Sequence, residues 1–346
     1  MAASLKHPEY KMNLFDSSGT KYQFKNITTD LTVGYEENDL AQKVNITIAN
    51  VKVGKKRLSS IIKLRQKVYV YANTGSGYKE VFRGYVWERK FDTSLDTREI
   101  RLVCYDRLIY LQNSKDNFYR KKGAKTKNVI TSIAKKWGIK IKYNYISITH
   151  GKLVYRSENI SDILLSILNK AKKQSGVGYA IRCEKGVMVI DKQGSNNTVY
   201  KVESGDNVLA QSYTETMEGM ITKVKIVKAE TVKKKKKKGD DTEKETGIYV
   251  TVATVKGNTK QYGTLQDIIE KGSDEKLSDA KKEANKIIKK DGHPKRDISV
   301  TAVDIPWVKK GHKVYINTGN LKNNYIVKGI EHDATNHTMT LEVKKA

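Results

Sequence analysis

Cysteine and proline are nearly missing from this sequence. It has 2 cysteines and 3 prolines in 346 residues. Two lone cysteines supply neither a disulfide framework nor a cysteine-based zinc site. Cys104 and Cys183 each lie in an apolar, strand-like run, "IRLVCYDRL" and "YAIRCEKGVMVI". Buried free thiols are expected there. Long hydrophobic runs are also lacking. None approaches the ~20 residues needed to cross a bilayer, so no membrane insertion by this chain is expected. The opening "MAASLKHPEYKMNLFD" has no apolar core of a secretory signal, which predicts synthesis in the cytoplasm without a signal peptide. Acidic residues are outnumbered: 38 Asp and Glu face 66 Lys and Arg, a formal net charge of +28. Such a balance invites an acidic partner, whether nucleic acid, anionic lipid, acidic protein or cell-wall polymer.

Tyrosine is plentiful, with 20 residues. Together with many valines, isoleucines and threonines it suits half-buried strands. Residues 1–112 read as β-structure. "KVNITIANV" alternates Val44, Ile46 and Ile48, and "TREIRLVCYDRL" alternates Ile100, Leu102 and Cys104. "KVYVYANTGSGYKEVFRGYVWERKFD" reads as a hairpin around "NTGSG". The period then changes. "TKNVITSIAKKWG" places Val129, Ile130, Ile133, Ala134 and Trp137 on one helical face, stopped by Gly138. "SDILLSILNKAKKQSG" reads as a second helix, with Ser161 as N-cap and Gly176 at its end. A hairpin follows in "GYAIRCEKGVMVID", so 113–195 is expected to be a small α+β domain.

From about 199 the strand period returns. A helical insertion is expected at about 264–292. "TLQDIIEKG" is read as a helix capped by Thr264, and "SDEKLSDAKKEANKIIKKDG" as an amphipathic helix with Leu277, Ala280, Ala284, Ile287 and Ile288 on one face. Strands resume in "RDISVTAVDI", "HKVYINTG", "NYIVKGIEHD" and "HTMTLEVKK".

The chemistry-bearing residues form no enzyme signature. His332 and His337 in "EHDATNHT" are the one suggestive metal pair, but no third ligand stands at a recognisable spacing. A hairpin turn at "DATNH" is the simpler reading. No nucleophile elbow and no phosphate loop is present. Glu158, Asp162, Asp304 and Glu331 are candidate carboxylates, but nothing in the sequence pairs them. Catalytic, cofactor and metal sites are therefore each expected to be absent. Aromatics beside positive charge in "DNFYRKKGAKTK" and "VWERKFD" offer stacking platforms for nucleic acid. No nucleic-acid motif accompanies them, and strand tyrosines packing beside solvated lysines account for the pattern.

The C-terminal third carries a recognisable order of motifs: the helix "DAKKEANKIIKKDG", the strand "RDISVTAVDI", the turn "PWVKKGHKVYI" and the hairpin "NNYIVKGIEHDATNHTMTLEV". "LVCYDRLIYLQNSKDNFYRKKGAKTKNVITSIAKKWGI" in the first half fits the same pattern. The chain resembles the tail hub proteins of contractile-tailed phages, the late control D family. Within it, the sequence is most similar to the hub subfamily of defective Bacillus-type prophages and related bacteriocins (tailocins). The pattern residues Gly311, Tyr325 and His332 are expected to form the fold and not to react.

The resemblance implies a mainly β fold with α+β insertions. Two tail-tube-like antiparallel β-barrel domains, 1–112 and 196–346, would flank the 113–195 domain. It implies a structural baseplate hub: a homotrimer whose duplicated barrels adapt a hexameric tail tube to a trimeric central spike. The implied partners are the tube or tube-initiator protein and the spike, with the tape measure and baseplate wedge proteins also in reach. The particle would be a phage or a bacteriocin, assembled in a bacterial cytoplasm. Two other readings stay open: a baseplate-associated cell-wall hydrolase and a basic nucleic-acid-binding protein.

The run Lys233, Lys234, Lys235, Lys236, Lys237 and Lys238 falls between the strand-like "ITKVKIVKAETV" and "GIYVTVATVKG". Adjacent like charges repel and no apolar residue interrupts them. The run is expected to be a solvated hairpin tip outside any channel, with docking of an acidic subunit as the alternative and no specific nucleic-acid binding.

Overall fold

Alternating apolar residues set the strands, and their partners decide the architecture. The computed structural model describes residues 7–24, 27–93, 98–234, 242–272 and 275–346. The N-terminal segment forms β1 (Glu9–Phe15), β2 (Lys21–Phe24), β3 (Thr28–Tyr35), β4 (Lys43–Ala49), β5 (Lys52–Val53), β6 (Lys56–Arg57), the single turn α1 (Leu58–Ile61), β7 (Lys67–Asn73), β8 (Lys79–Thr93) and β9 (Arg98–Tyr105). The middle segment forms α2 (Ile109–Gln112), β10 (Lys115–Arg120), α3 (Thr126–Lys136), β11 (Lys140–Asn144), β12 (Leu153–Asn159), α4 (Ile160–Ser175), β13 (Tyr179–Glu184) and β14 (Val187–Lys192). Next come β15 (Tyr200–Glu203), β16 (Val208–Thr216), β17 (Lys223–Lys234), β18 (Thr242–Lys256), α5 (Thr259–Tyr262), β19 (Gln266–Glu270) and α6 (Leu277–Asp291). The chain ends in β20 (Lys295–Val303), β21 (Lys313–Thr318), β22 (Leu321–Asp333) and β23 (Thr338–Lys345).

Contacts divide the chain into two compact units, Met1–Ser212 with Ile298–Ala346, and Tyr213–Asp297. In the first, one antiparallel sheet runs β20-β23-β22-β3-β4-β9-β8-β7-β1-β2. The two ends of the chain therefore share a sheet. Their junction pairs Ile330 with Tyr35, Glu331 with Gly34, His332 with Val33 and Asp333 with Thr32. Gly34 permits the close approach, because a Cβ there would lie 2.6 Å from the Ile330 carbonyl oxygen. β21 adds antiparallel to β22, and β15 adds parallel to β21. The chain is mainly β, as the sequence predicts. Among the described residues no strand pairing closes either strand set into a barrel.

Three apolar clusters fill this unit. One lies among the N-terminal strands and holds Val44, Ile46, Ile48, Ile100, Leu102 and Cys104, the residues whose alternation marks these strands in the sequence. Burying each large aliphatic side chain is worth about 1.5–3 kcal/mol. A second cluster joins α3 and α4, through Val129, Ile130, Ile133, Ile163, Leu164 and Ile167, to Met188 and Ile190 of β14. A third lies under the C-terminal strands, around Val300, Val314, Ile316, Tyr325 and Leu341.

Two local expectations need correction. Asn159 holds the N-cap position of α4 without a side-chain capping bond, while Ser161 lies inside the helix and is buried. The helix expected from Thr264 is instead strand β19, parallel to β17 with Ile268 opposite Lys225. The Leu265 N–H donates to Thr222 Oγ1 at 2.8 Å, and Ile269 packs with the cluster of Val224 and Ile226. Pairing with a neighbouring strand satisfies the backbone and half-buries this isoleucine, which outweighs the local capping signal. In this second unit α6 lays Ala280 and Ala284 on β17, and Leu277, Ile287 and Ile288 are half-buried around them.

Candidate functional site

The histidine of the C-terminal hairpin sits in a buried polar knot. Asp304 follows β20, and its side chain is fully buried. Its Oδ2 accepts a hydrogen bond from the Tyr10 hydroxyl at 2.5 Å, and its Oδ1 lies 2.6 Å from His332 Nδ1. His332 Nε2 in turn faces the Val308 carbonyl oxygen at 3.1 Å. Burial first, and then the Asp304 charge, push the Tyr10 hydroxyl far above its ordinary range. A histidine–aspartate pair serves as a general base only when the second ring nitrogen reaches a nucleophile. Here that nitrogen is held by the backbone, so the knot ties β1, β22 and the loop after β20 together. His337 lies in the β22–β23 turn with its ring 4.9 Å from that of His7. Among the described residues no group of three or more metal-ligating side chains occurs.

The loop carrying Gly311 meets β13 nearby. Gly311 has φ +85, and a Cβ on it would lie 2.1 Å from Ala180 Cβ. Its N–H donates to the Val327 carbonyl oxygen at 2.8 Å. Arg182, between Ile181 and Cys183 in β13, is buried. It bridges Asp191 and donates to Glu184 Oε1 at 3.1 Å and to the Lys310 carbonyl oxygen at 3.1 Å. Burial raises the Glu184 carboxyl, but Lys309 and Arg182 outweigh it and hold the group below its ordinary value. Lys310 Nζ donates to the carbonyl oxygens of Glu36, Glu37 and Asp39 at 2.7, 2.7 and 2.8 Å. Burial pushes this amine down to about 8. Tyr325 is buried in the C-terminal cluster, where it pairs with Val314 of β21.

Gly311 and His332 thus both help to fix the 304–312 loop, and Tyr325 packs in the core beside it. The sequence pattern marks all three. It does not reveal Asp304 as the partner of His332, nor the roles of Tyr10 and Lys310. Arg182 was detectable, because a charge set between the apolar Ile181 and Cys183 needs a counter-ion. Where the three apolar clusters approach one another, a cavity of about 380 Å³ opens. Val33 and Phe82 come from the first cluster, Cys183 from the second, and Val308 and Ile330 from the third. Elsewhere, Glu36, Glu37, Glu331 and Glu342 line a separate groove along the β3–β22 junction. Of the lysine run, Lys233 and Lys234 close β17 opposite Glu243 and Thr242 of β18. Lys235, Lys236, Lys237 and Lys238 lie outside the described residues.

Known proteins share both the sequence and the fold. The phage-like element PBSX protein XkdQ of Bacillus subtilis is 26% identical over 272 residues, 77% of this chain and 78% of that protein. The 43 kDa tail protein of prophage MuSo2 from Shewanella oneidensis has the same fold, with a TM-score of 0.67 at 17% identity over 98% of both chains. The E. coli c3393 protein, a type VI secretion component similar in structure to T4 tail proteins gp27 and gp5, aligns with a TM-score of 0.53 at 8% identity. That alignment covers 92% of this chain and 74% of the other. The YQBQ-like family model matches residues 31–344, nearly the whole chain, and this protein belongs to that family.

Proposed function

We propose that this protein is a structural hub of a contractile tail baseplate, in a phage or a phage-tail-like bacteriocin. The observation that carries the reading is the similarity over 77% of the chain to a protein of the phage-like element PBSX, beside the match of 31–344 to the YQBQ-like family. The tail-protein fold along the whole chain supports it. In this reading three copies surround the tail axis. The N- and C-terminal strand sets of each copy act as two tube-like modules, so the ring meets a sixfold tube on one side and a threefold spike on the other. The sheet that joins both sets through β3 and β22 would keep their relative rotation constant under load. Its partners are the tube or tube-initiator protein and the spike.

Electron microscopy of the assembled particle tests this. Three copies on the axis between tube and spike are expected; a position off the axis sinks the proposal. Clearing of cell walls by the purified protein in a zymogram would replace it with a hydrolase.

A further inference from the structure

The cavity at the meeting of the three clusters has an interior and a mouth of different chemistry. Its walls include Val33, Phe82, Val189, Val308 and Ile330, with Trp307 beside them. Three buried side chains of the wall are already engaged by protein groups, while the Gln42 amide also lines the cavity. His332 is held by Asp304 and the Val308 carbonyl, Arg182 by Asp191 and Glu184, and the Tyr35 hydroxyl by the Cys183 backbone. A ligand body inside therefore meets mainly apolar surface, with the Gln42 amide as a polar group it can face.

The charged lining residues are unequal. Lys142, Arg182, Lys185 and Lys309 stand against Glu80 and Glu184. Both acids are already matched: Glu80 is bound by Arg83 at 2.7 Å, and Glu184 by Arg182 and Lys309 at 3.1 and 3.0 Å. Lys142 and Lys185 are exposed and add positive charge that these two acids do not offset. A charged group set over an apolar pocket orients whatever enters it.

We infer that this cavity binds an amphipathic carboxylate, with its aromatic or branched apolar body inside and its carboxylate at Lys142 and Lys185. The same chemistry is carried by a free aromatic acid and by the C-terminal residue of a neighbouring chain. The inference does not rest on the hub reading.

Calorimetric titration of the full chain with 2-naphthoate, its neutral amide and N-acetyltryptophan tests it. One saturable site is expected, with the acid bound about tenfold or more tightly than the amide and more weakly at high salt. Val187→Trp, at the half-buried rim, should abolish binding. The surface variant Lys142→Glu/Lys185→Glu should weaken it about tenfold while leaving the thermal midpoint near that of the parent. Tighter binding of N-acetyltryptophan than of 2-naphthoate supports a chain end as the source, and the reverse order supports a free acid. Lack of saturable binding overturns the inference. So does equal affinity for acid and amide, or unchanged affinity in the two variants.

Discussion

The Tyr35 hydroxyl is bonded to the backbone of Cys183 twice, accepting from its N–H at 2.9 Å and donating to its carbonyl oxygen at 3.4 Å. The two residues are 148 positions apart, and the pair links β3 to β13 in a buried setting. Tyr35→Phe keeps the ring but leaves the Cys183 N–H without its partner. The expected cost is about 1–3 kcal/mol. Urea denaturation measures it, and an unchanged midpoint would show the bond to be dispensable.

Gly311 faces two constraints at once, a positive φ and contact with Ala180. Gly311→Ala should destabilise by about 1–3 kcal/mol from backbone strain alone, with the clash in addition. Gly123 has φ +103 and open space around it, so Gly123→Ala should cost less. Ala180→Gly combined with Gly311→Ala should recover part of the loss, and a strictly additive double variant would contradict the contact.

His312 links folding to pH. Burial first, then the charges of Arg182 and Lys309, push its imidazole down to about 4 from 6.5, while Glu184 and Asp191 pull the other way. Its Nδ1 is buried without a hydrogen-bond partner, as suits a neutral ring. The unfolded chain binds this proton more readily, so the contribution is present above about 6.5 and is lost as pH falls toward about 4. Asp106, pushed up to about 7 by burial, acts with the opposite sign across an overlapping range. Comparison with His312→Phe isolates the histidine. The parent should lose more stability than the variant between pH 6.5 and 4, and parallel profiles would refute the assignment.

Burial raises the thiols of Cys104 and Cys183 above their ordinary range. The thiolate is the reactive form. Cys104 should not react with a disulfide reagent in the native protein and should react in denaturant. Its rapid native labelling would show that its strand opens readily, whereas labelling of Cys183, which lines the cavity, also reports entry of the reagent there.

Periodicity made much of the local structure legible. The spacing of Val129, Ile130 and Ile133 marked α3, and the alternation of Val44, Ile46 and Ile48 marked β4, because each pattern directs one face to a core. "TLQDIIEKG" was misleading. Its capping signal is local, whereas its partner, β17, begins more than forty residues earlier. The site was legible only as single residues. Nothing near His332 in the chain reveals Asp304, 28 positions away, or Tyr10 at the far end of the sequence.

The sequence by itself determined the strand-rich character, the two long helices of the first unit and the buried thiols, because these follow from the side-chain period along a short stretch. It also carried the order of motifs that marks the family. Only the tertiary structure decided that β3 and β22 join the chain's two ends in one sheet, and that Asp304 consumes one ring nitrogen of His332 while the Val308 carbonyl takes the other. Those choices depend on which distant backbone and polar groups meet once the cores have formed, and no local pattern encodes that meeting.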